Sequence, residues 1–185
     1  SRFLSLTFVV CLAISACAQK PAVNKAENEG WITSLDEAVA LSKKSGKPIM
    51  ANFTGSDWCG WCKRLTSAVF SKDEFKTWAS KNVVLLELDF PRFKQLPTEL
   101  RNQNQALQQQ FQVGGFPTIW VFDAAQNKST KQFEFTQLGR TGYKPTVAEF
   151  TTDVDQMIAR RKKIILFITF LKPHILGIWG FFAIY

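Results

Sequence analysis

Between residues 30 and 160 the chain alternates between two hydrophobic patterns. One has the spacing of a helix face. Leu35, Ala38 and Val39 share a stripe, as do Leu65, Ala68 and Val69, and Val147, Phe150, Val154, Met157 and Ile158. The other is a near-continuous apolar run, found from Pro48 to Phe53, from Val83 to Leu88 and from Thr118 to Phe122. Such runs are expected of strands buried on both faces. Phe133 and Phe135 alternate with polar neighbours, as on the edge strand of a hairpin, and Ala124-Ala125-Gln126-Asn127 is the expected turn into it.

Three helix starts carry capping boxes, in which a hydroxyl and an acid three residues on satisfy free backbone N–H groups. They are Ser34-x-x-Glu37, Ser71-x-x-Glu74 and Thr146-x-x-Glu149. The first helix stops at Lys43-Lys44-Ser45-Gly46, and the second carries Phe75 and Trp78. Another is expected to begin at Cys59. A Gln-rich surface helix should run from about Asn102 to Phe111, with Leu100, Leu107 and Phe111 on one face. The order is helix, strand, helices, strand, helix, strand, strand, helix. It predicts an α/β domain over residues 30–161, with a central mixed sheet of four to five strands flanked by helices. A parallel β-α-β unit comes first; an antiparallel hairpin and a covering helix close it. Residues 19–29, polar from Lys20 onward, read as a linker.

Composition narrows the class. The chain has 185 residues, of which 46% are hydrophobic and 17 are Phe, too many for a disordered polymer. Net charge is +8, but the basic residues are scattered, and only Arg160-Arg161-Lys162-Lys163 is a dense run. A solvated surface explains this. Nucleic acid is not an expected partner, because no basic stripe accompanies a recognition module. Anionic lipid headgroups are the better alternative, since both chain ends look membrane-related.

At the N-terminal end, Arg2 precedes an apolar run from Phe3 to Ile14 and then Ser15-Ala16-Cys17-Ala18-Gln19. Residues 1–18 have the layout of an export signal. Ala16-Cys17-Ala18 fits cleavage before Gln19, while Ile14-Ser15-Ala16-Cys17 resembles a lipobox in which Cys17 becomes the lipid attachment. Both stay open, and either exports the domain to the cell envelope, where disulfides persist. At the other end, residues 162–185 form a basic-hydrophobic tail that Lys172-Pro173-His174 interrupts. Each apolar half is shorter than the ~20 residues that cross a bilayer. A membrane anchor and an interfacial segment are both open.

Cysteine usage points to chemistry. Of four cysteines, Cys11 and Cys17 fall in the signal, leaving Cys59 and Cys62 in the domain. The one histidine, His174, lies in the tail, so a four-ligand zinc site within one chain is not expected. No cofactor is expected either. The motif Trp58-Cys59-Gly60-Trp61-Cys62-Lys63 follows a strand and a loop, and in that context C-x-x-C reads as a redox pair. A helix beginning at Cys59 would favour its thiolate, the attacking species. Cys62, one turn on and less exposed, would resolve the mixed disulfide.

These residues resemble the thioredoxin superfamily. Val113-Gly114-Gly115-Phe116-Pro117-Thr118 supplies a second, distant element of the likeness, and the Phe53-Thr54-Gly55-Ser56-Asp57-Trp58-Cys59 loop with Asp89-Phe90-Pro91 is similar to exported bacterial members. The resemblance implies that Pro117 is cis and stands beside the cysteines. It also implies that the backbone before Pro117 pairs with an extended substrate segment. Substrate contacts would come from Trp58, Gly60, Trp61, Phe116, Pro117 and Thr118. Trp58 is read chiefly as packing at the loop base, and Trp61 as exposed. Protein thiols and disulfides, with an upstream redox partner, are the implied partners.

One departure stands out. The position of the family's buried aspartate is held here by Asn52, allowing one extra residue in the next loop. Asn is no general base at neutral pH, so proton handling must use water or another group, with Glu87 and Asp57 as the candidates. Gly60-Trp61 between the cysteines, lacking the histidine of strongly oxidising relatives, leans the reading toward reductase or isomerase. The stretch from Arg92 to Arg101 is longer than thioredoxin needs; it is either a surface insertion or a partner contact. The rival readings are a non-catalytic binding or chaperone module using the same groove, and metal delivery by the thiolate pair.

Overall fold

A computed structural model describes residues 25–161. The export signal, Cys17 and the tail lie outside the described residues.

The strand β1 (Ile49–Thr54) is buried at every position and pairs on both sides. Along one edge it runs parallel to β2 (Val84–Asp89), with Asn52 opposite Glu87 and Thr54 opposite Asp89. Along the other it runs antiparallel to β3 (Thr118–Gln126), which pairs in turn with β4 (Phe133–Thr141). The result is a four-stranded mixed sheet in the order β2-β1-β3-β4. A single parallel bridge from Ile32 to Leu86 covers the outer edge of β2. Edges left open invite foreign strands, so this cover has a use.

Alternation along β1 divides the core into two. Ile49, Ala51 and Phe53 face a layer with Leu35, Ala38, Leu107 and Phe111. Met50 faces the other way, toward Leu65, Val69, Phe75 and Phe150. The helices cover the sheet accordingly: α1 (Leu35–Ser45), α2 (Gly60–Leu65), α3 (Asp73–Asn82), α4 (Thr98–Gln110) and α5 over residues 147–161.

Two capping boxes form. Ser34 Oγ accepts from the Glu37 N–H at 3.4 Å, and Thr146 Oγ1 accepts from the Glu149 N–H at 3.2 Å. The Ser71 box does not. The helix expected there starts at Asp73 behind Lys72, without a side-chain cap. Ser71 instead closes a π-helical turn, Thr66–Phe70, that prolongs α2: its N–H donates to Thr66 O and its hydroxyl to Ser67 O. A residue engaged in ending one helix is not free to cap the next.

Three boundaries also move. The Gln-rich helix begins at Thr98, so only residues 92–97 of the long stretch from Arg92 to Arg101 are loop. Strand β3 continues through the expected turn, because Ala125 and Gln126 pair with Glu134 and Phe133. The reversal occurs at Asn127, whose side-chain oxygen accepts from the N–H groups of Ser129 and Thr130. Residues 26–28, read as the end of a linker, lie against the domain: Ala26 is buried, and Glu27 and Asn28 bond to Glu87.

Candidate functional site

The loop after β1 is tied down before it reaches the cysteines. Ser56 donates to the Asp89 carboxylate through its N–H (2.9 Å) and its hydroxyl (2.6 Å). Trp58 is half-buried and lies on Gly55, where an added Cβ would stand 2.5 Å from the indole. Its Nε1 donates to Phe90 O at 2.8 Å. Trp58 thus packs at the loop base, as read from the sequence.

Cys59 is the N-cap of α2, in extended conformation, and its Sγ accepts from the Cys62 N–H at 3.2 Å. The two sulfurs are bonded at 2.06 Å, with Cα atoms 5.3 Å apart. The expected contrast in exposure is absent: Cys59 is 5% exposed and Cys62 is 4%. In the bonded pair each sulfur covers surface the other would otherwise show. Gly60 is exposed and has nothing near its Cα hydrogens. Trp61 is 54% exposed, with Arg64 over its face and Tyr143 at its edge, ring centroids 5.0 Å apart.

The Phe116–Pro117 peptide is cis. Phe116 stands edge-on to Trp58 at 5.9 Å and stacks on Phe90 at 5.0 Å, which brings the proline loop against the tryptophan preceding Cys59. Thr118 opens β3 opposite Phe53, its hydroxyl donating to Gly115 O at 2.8 Å. The site therefore gathers Trp58, Cys59, Cys62 and Phe116-Pro117 from two distant stretches. Tyr143 and Phe90 were not singled out as site residues from the sequence. Tyr143 follows β4 in a loop without periodicity, so no pattern marks it.

The candidates for proton handling separate. Desolvation alone would raise the Asp57 pKa, but the N–H groups of Arg92, Phe93 and Lys94 outweigh it and hold the carboxyl below its ordinary value. Asp57 is an anchor for the next loop. Asn52 and Glu87 share a register position on the sheet face that carries α2. The Asn52 Oδ1 is buried without a hydrogen bond among the described residues. Glu87, 2% exposed, lines a cavity of about 370 Å³ together with Cys62, Thr54 and Thr66. Its oxygens accept from the Glu27 N–H (2.7 Å) and the Asn28 side chain (2.6 Å).

Burial raises the Glu87 pKa; the Glu27 and Asn28 donors oppose the rise, and the Asp89 charge adds to it. The folded state then holds this proton more tightly than the unfolded chain. The stability Glu87 contributes is complete below the ordinary Glu range and is lost as pH rises through its raised folded value. Glu87→Gln does not titrate. Wild-type stability relative to this variant is therefore expected to fall across that acidic window and level off above it. Urea unfolding over a pH series measures this, and parallel profiles would refute it.

The sequence model of the thioredoxin-like family matches residues 30–124. The chain belongs to the thioredoxin-like family. Among its thioredoxin-like relatives is the disulfide bond reductase DsbH of Chlamydia pneumoniae, 39% identical over 65% of this chain and 66% of that protein. The thioredoxin-related protein DsbJ of the same organism is 28% identical over 54% of this chain, and the thiol:disulfide interchange protein DsbD of Klebsiella pneumoniae 33% over 55%. The chain spans 30% and 15% of those two, respectively. The solved structure of a DsbH oxidoreductase superposes with a TM-score of 0.60 at 33% identity, covering 76% of this chain and 90% of that one. The thioredoxin-like fold expected from the sequence is the one observed. Among the described residues no helix is long and apolar enough to cross a membrane.

Proposed function

We propose that this chain is a protein thiol–disulfide oxidoreductase that works in the reducing or isomerising direction. The observation that carries this is Cys59 at the start of α2, its sulfur receiving the Cys62 N–H, with Cys62 at bonding distance. The names of the relatives support the same chemistry, and the chlamydial reductase supports the direction.

In the dithiol form the Cys62 N–H and the helix start favour the Cys59 thiolate. That thiolate attacks a client disulfide. The client S–S bond breaks, a mixed disulfide forms and one client thiolate leaves. Cys62, as thiolate, then attacks the Cys59 sulfur. The mixed bond breaks, the Cys59–Cys62 bond forms and the second client thiolate leaves. Two electrons pass to the client, and its thiolates take up protons. Glu87, on the cavity it shares with Cys62, is the acid placed to exchange the Cys62 proton through water. An upstream dithiol must restore the reduced pair.

Trp58, Gly60, Trp61, Phe116, Pro117 and Thr118 form the client-facing rim. The layout of residues 1–18 supports export to the cell envelope, with Cys17 as a lipid attachment or the C-terminal tail as a membrane contact. The test is reduction of a protein disulfide by the purified chain with an added dithiol. Turnover supports an enzyme. Client binding that persists without turnover, even after Cys59→Ser, would favour the binding-module reading that Asn52 motivates.

A further inference from the structure

The loop between β2 and α4 carries a cation that is held on an aromatic ring and has no ion-pair partner among the described residues. The Asp57 carboxylate accepts the backbone N–H groups of Arg92 (3.0 Å), Phe93 (2.7 Å) and Lys94 (3.2 Å), so this loop is pinned to the turn that precedes the cysteines. The Arg92 side chain does not pair with Asp57. It lies over the Trp58 ring, its guanidinium carbon 3.8 Å from the ring centroid. Arg92 is exposed, and among the described residues no ion pair or side-chain hydrogen bond engages its guanidinium.

Stacking fixes the plane of a guanidinium and leaves its N–H edge free. That edge is a fork matched to a carboxylate. Stacking also removes much of the side-chain freedom that ordinarily weakens an exposed ion pair. The position is specific: the ring beneath Arg92 is that of Trp58, which precedes Cys59 and stands edge-on to Phe116 of the proline loop. Beside it, Phe93 is 82% exposed on backbone that Asp57 holds. Lys63, whose Nζ donates to Asp57 O, and Arg64 are exposed on α2 beyond Cys62, so with Arg92 three cations stand near the one carboxylate of Asp57. The surface around Trp58 therefore carries a net positive charge.

We propose that Arg92 is a specificity residue that receives a carboxylate of the client, selecting protein disulfides whose cysteine is flanked by Asp or Glu. This rests on the oxidoreductase reading above. The occupant is a disulfide-bearing extended segment with an acidic side chain next to the reacting sulfur.

The test compares two disulfide-bonded peptides of equal length, one with Glu and one with Lys beside the cysteine, reduced by the full chain in its dithiol form. The readout is the ratio of the two rates within each protein, which cancels any general change in reactivity. Wild type is expected to reduce the Glu peptide about fivefold faster, the upper range for an exposed ion pair. Arg92→Gln is expected to bring the ratio below about twofold, and Arg92→Lys, which keeps charge but loses the fork, to leave it between the two. Equal rates in wild type, or a ratio unchanged in Arg92→Gln, would overturn the proposal. If neither peptide is reduced, the oxidoreductase reading itself fails, and this proposal with it.

Discussion

Cys59→Ser is expected to abolish turnover on a protein disulfide, a loss of ~1,000-fold or more, because the nucleophile has no substitute. Apart from the buried Cys62, no cysteine lies among the described residues, and a serine hydroxyl at the same helix start does not become an anion near neutral pH. Cys62→Ser should behave differently. Its Cys59 still receives the backbone N–H of residue 62, so attack on the client proceeds. Resolution is lost, because the sulfur that bonds to Cys59 has gone. The expected result is a single half-reaction followed by accumulation of a mixed disulfide on Cys59. Non-reducing electrophoresis and intact mass distinguish the two variants. Both variants being inert, or both fully active, would contradict the assigned roles.

The largest expected loss of stability lies on the opposite side of the sheet. Phe111 is 2% exposed and meets Phe122 at 4.7 Å, Phe135 at 5.3 Å, Trp120 at 5.4 Å and Phe53 at 6.0 Å between ring centroids. It joins the end of α4 to β1, β3 and β4. Phe111→Ala removes the transfer energy of the ring and leaves a cavity that these stiff neighbours cannot fill. The cost should be about 3–5 kcal/mol, lowering Tm by roughly 10–15 °C. Helix α2, capped by Cys59, packs through Leu65 on the other core layer, whereas Phe90 and Phe116 of the proline-loop side pack with the Phe111 layer. Thermal unfolding measures the loss, and a shift in Tm of only a few degrees would show that the ring cluster is not the main support of this side of the sheet.

Much of this was legible in the sequence for definite reasons. A strand buried on both faces must be apolar throughout, so β1 and β2 announced themselves. Hydroxyl–acid pairs at Ser34 and Thr146 marked helix starts because those N–H groups need partners. The Ser71 pair has the same spelling and fails. Ser71 adopts helical backbone angles (φ −78°, ψ −9°) to end the π turn, where an N-cap needs extended ones. That turn buries Val69 and Phe70 in the core, a tertiary fact that a local pattern does not contain. Glu87 read as a polar interruption in an apolar run. Its place opposite Asn52, on the face that carries Cys62, follows from strand register, which links residues remote in the chain. The Arg92–Trp58 stack is likewise tertiary: the basic loop was visible, but its seat on the cysteine motif was not.

Cys59 and Cys62 are expected to behave as a working redox pair, not a fixed staple. Equilibrating the chain in thiol–disulfide buffers of graded potential, with acid quenching and thiol counting by mass, measures this directly. Both cysteines should convert together in one two-electron transition, with a potential between about −270 and −120 mV, the range of exchanging pairs. A pair that stays oxidised to below about −300 mV, as structural disulfides do, would contradict it.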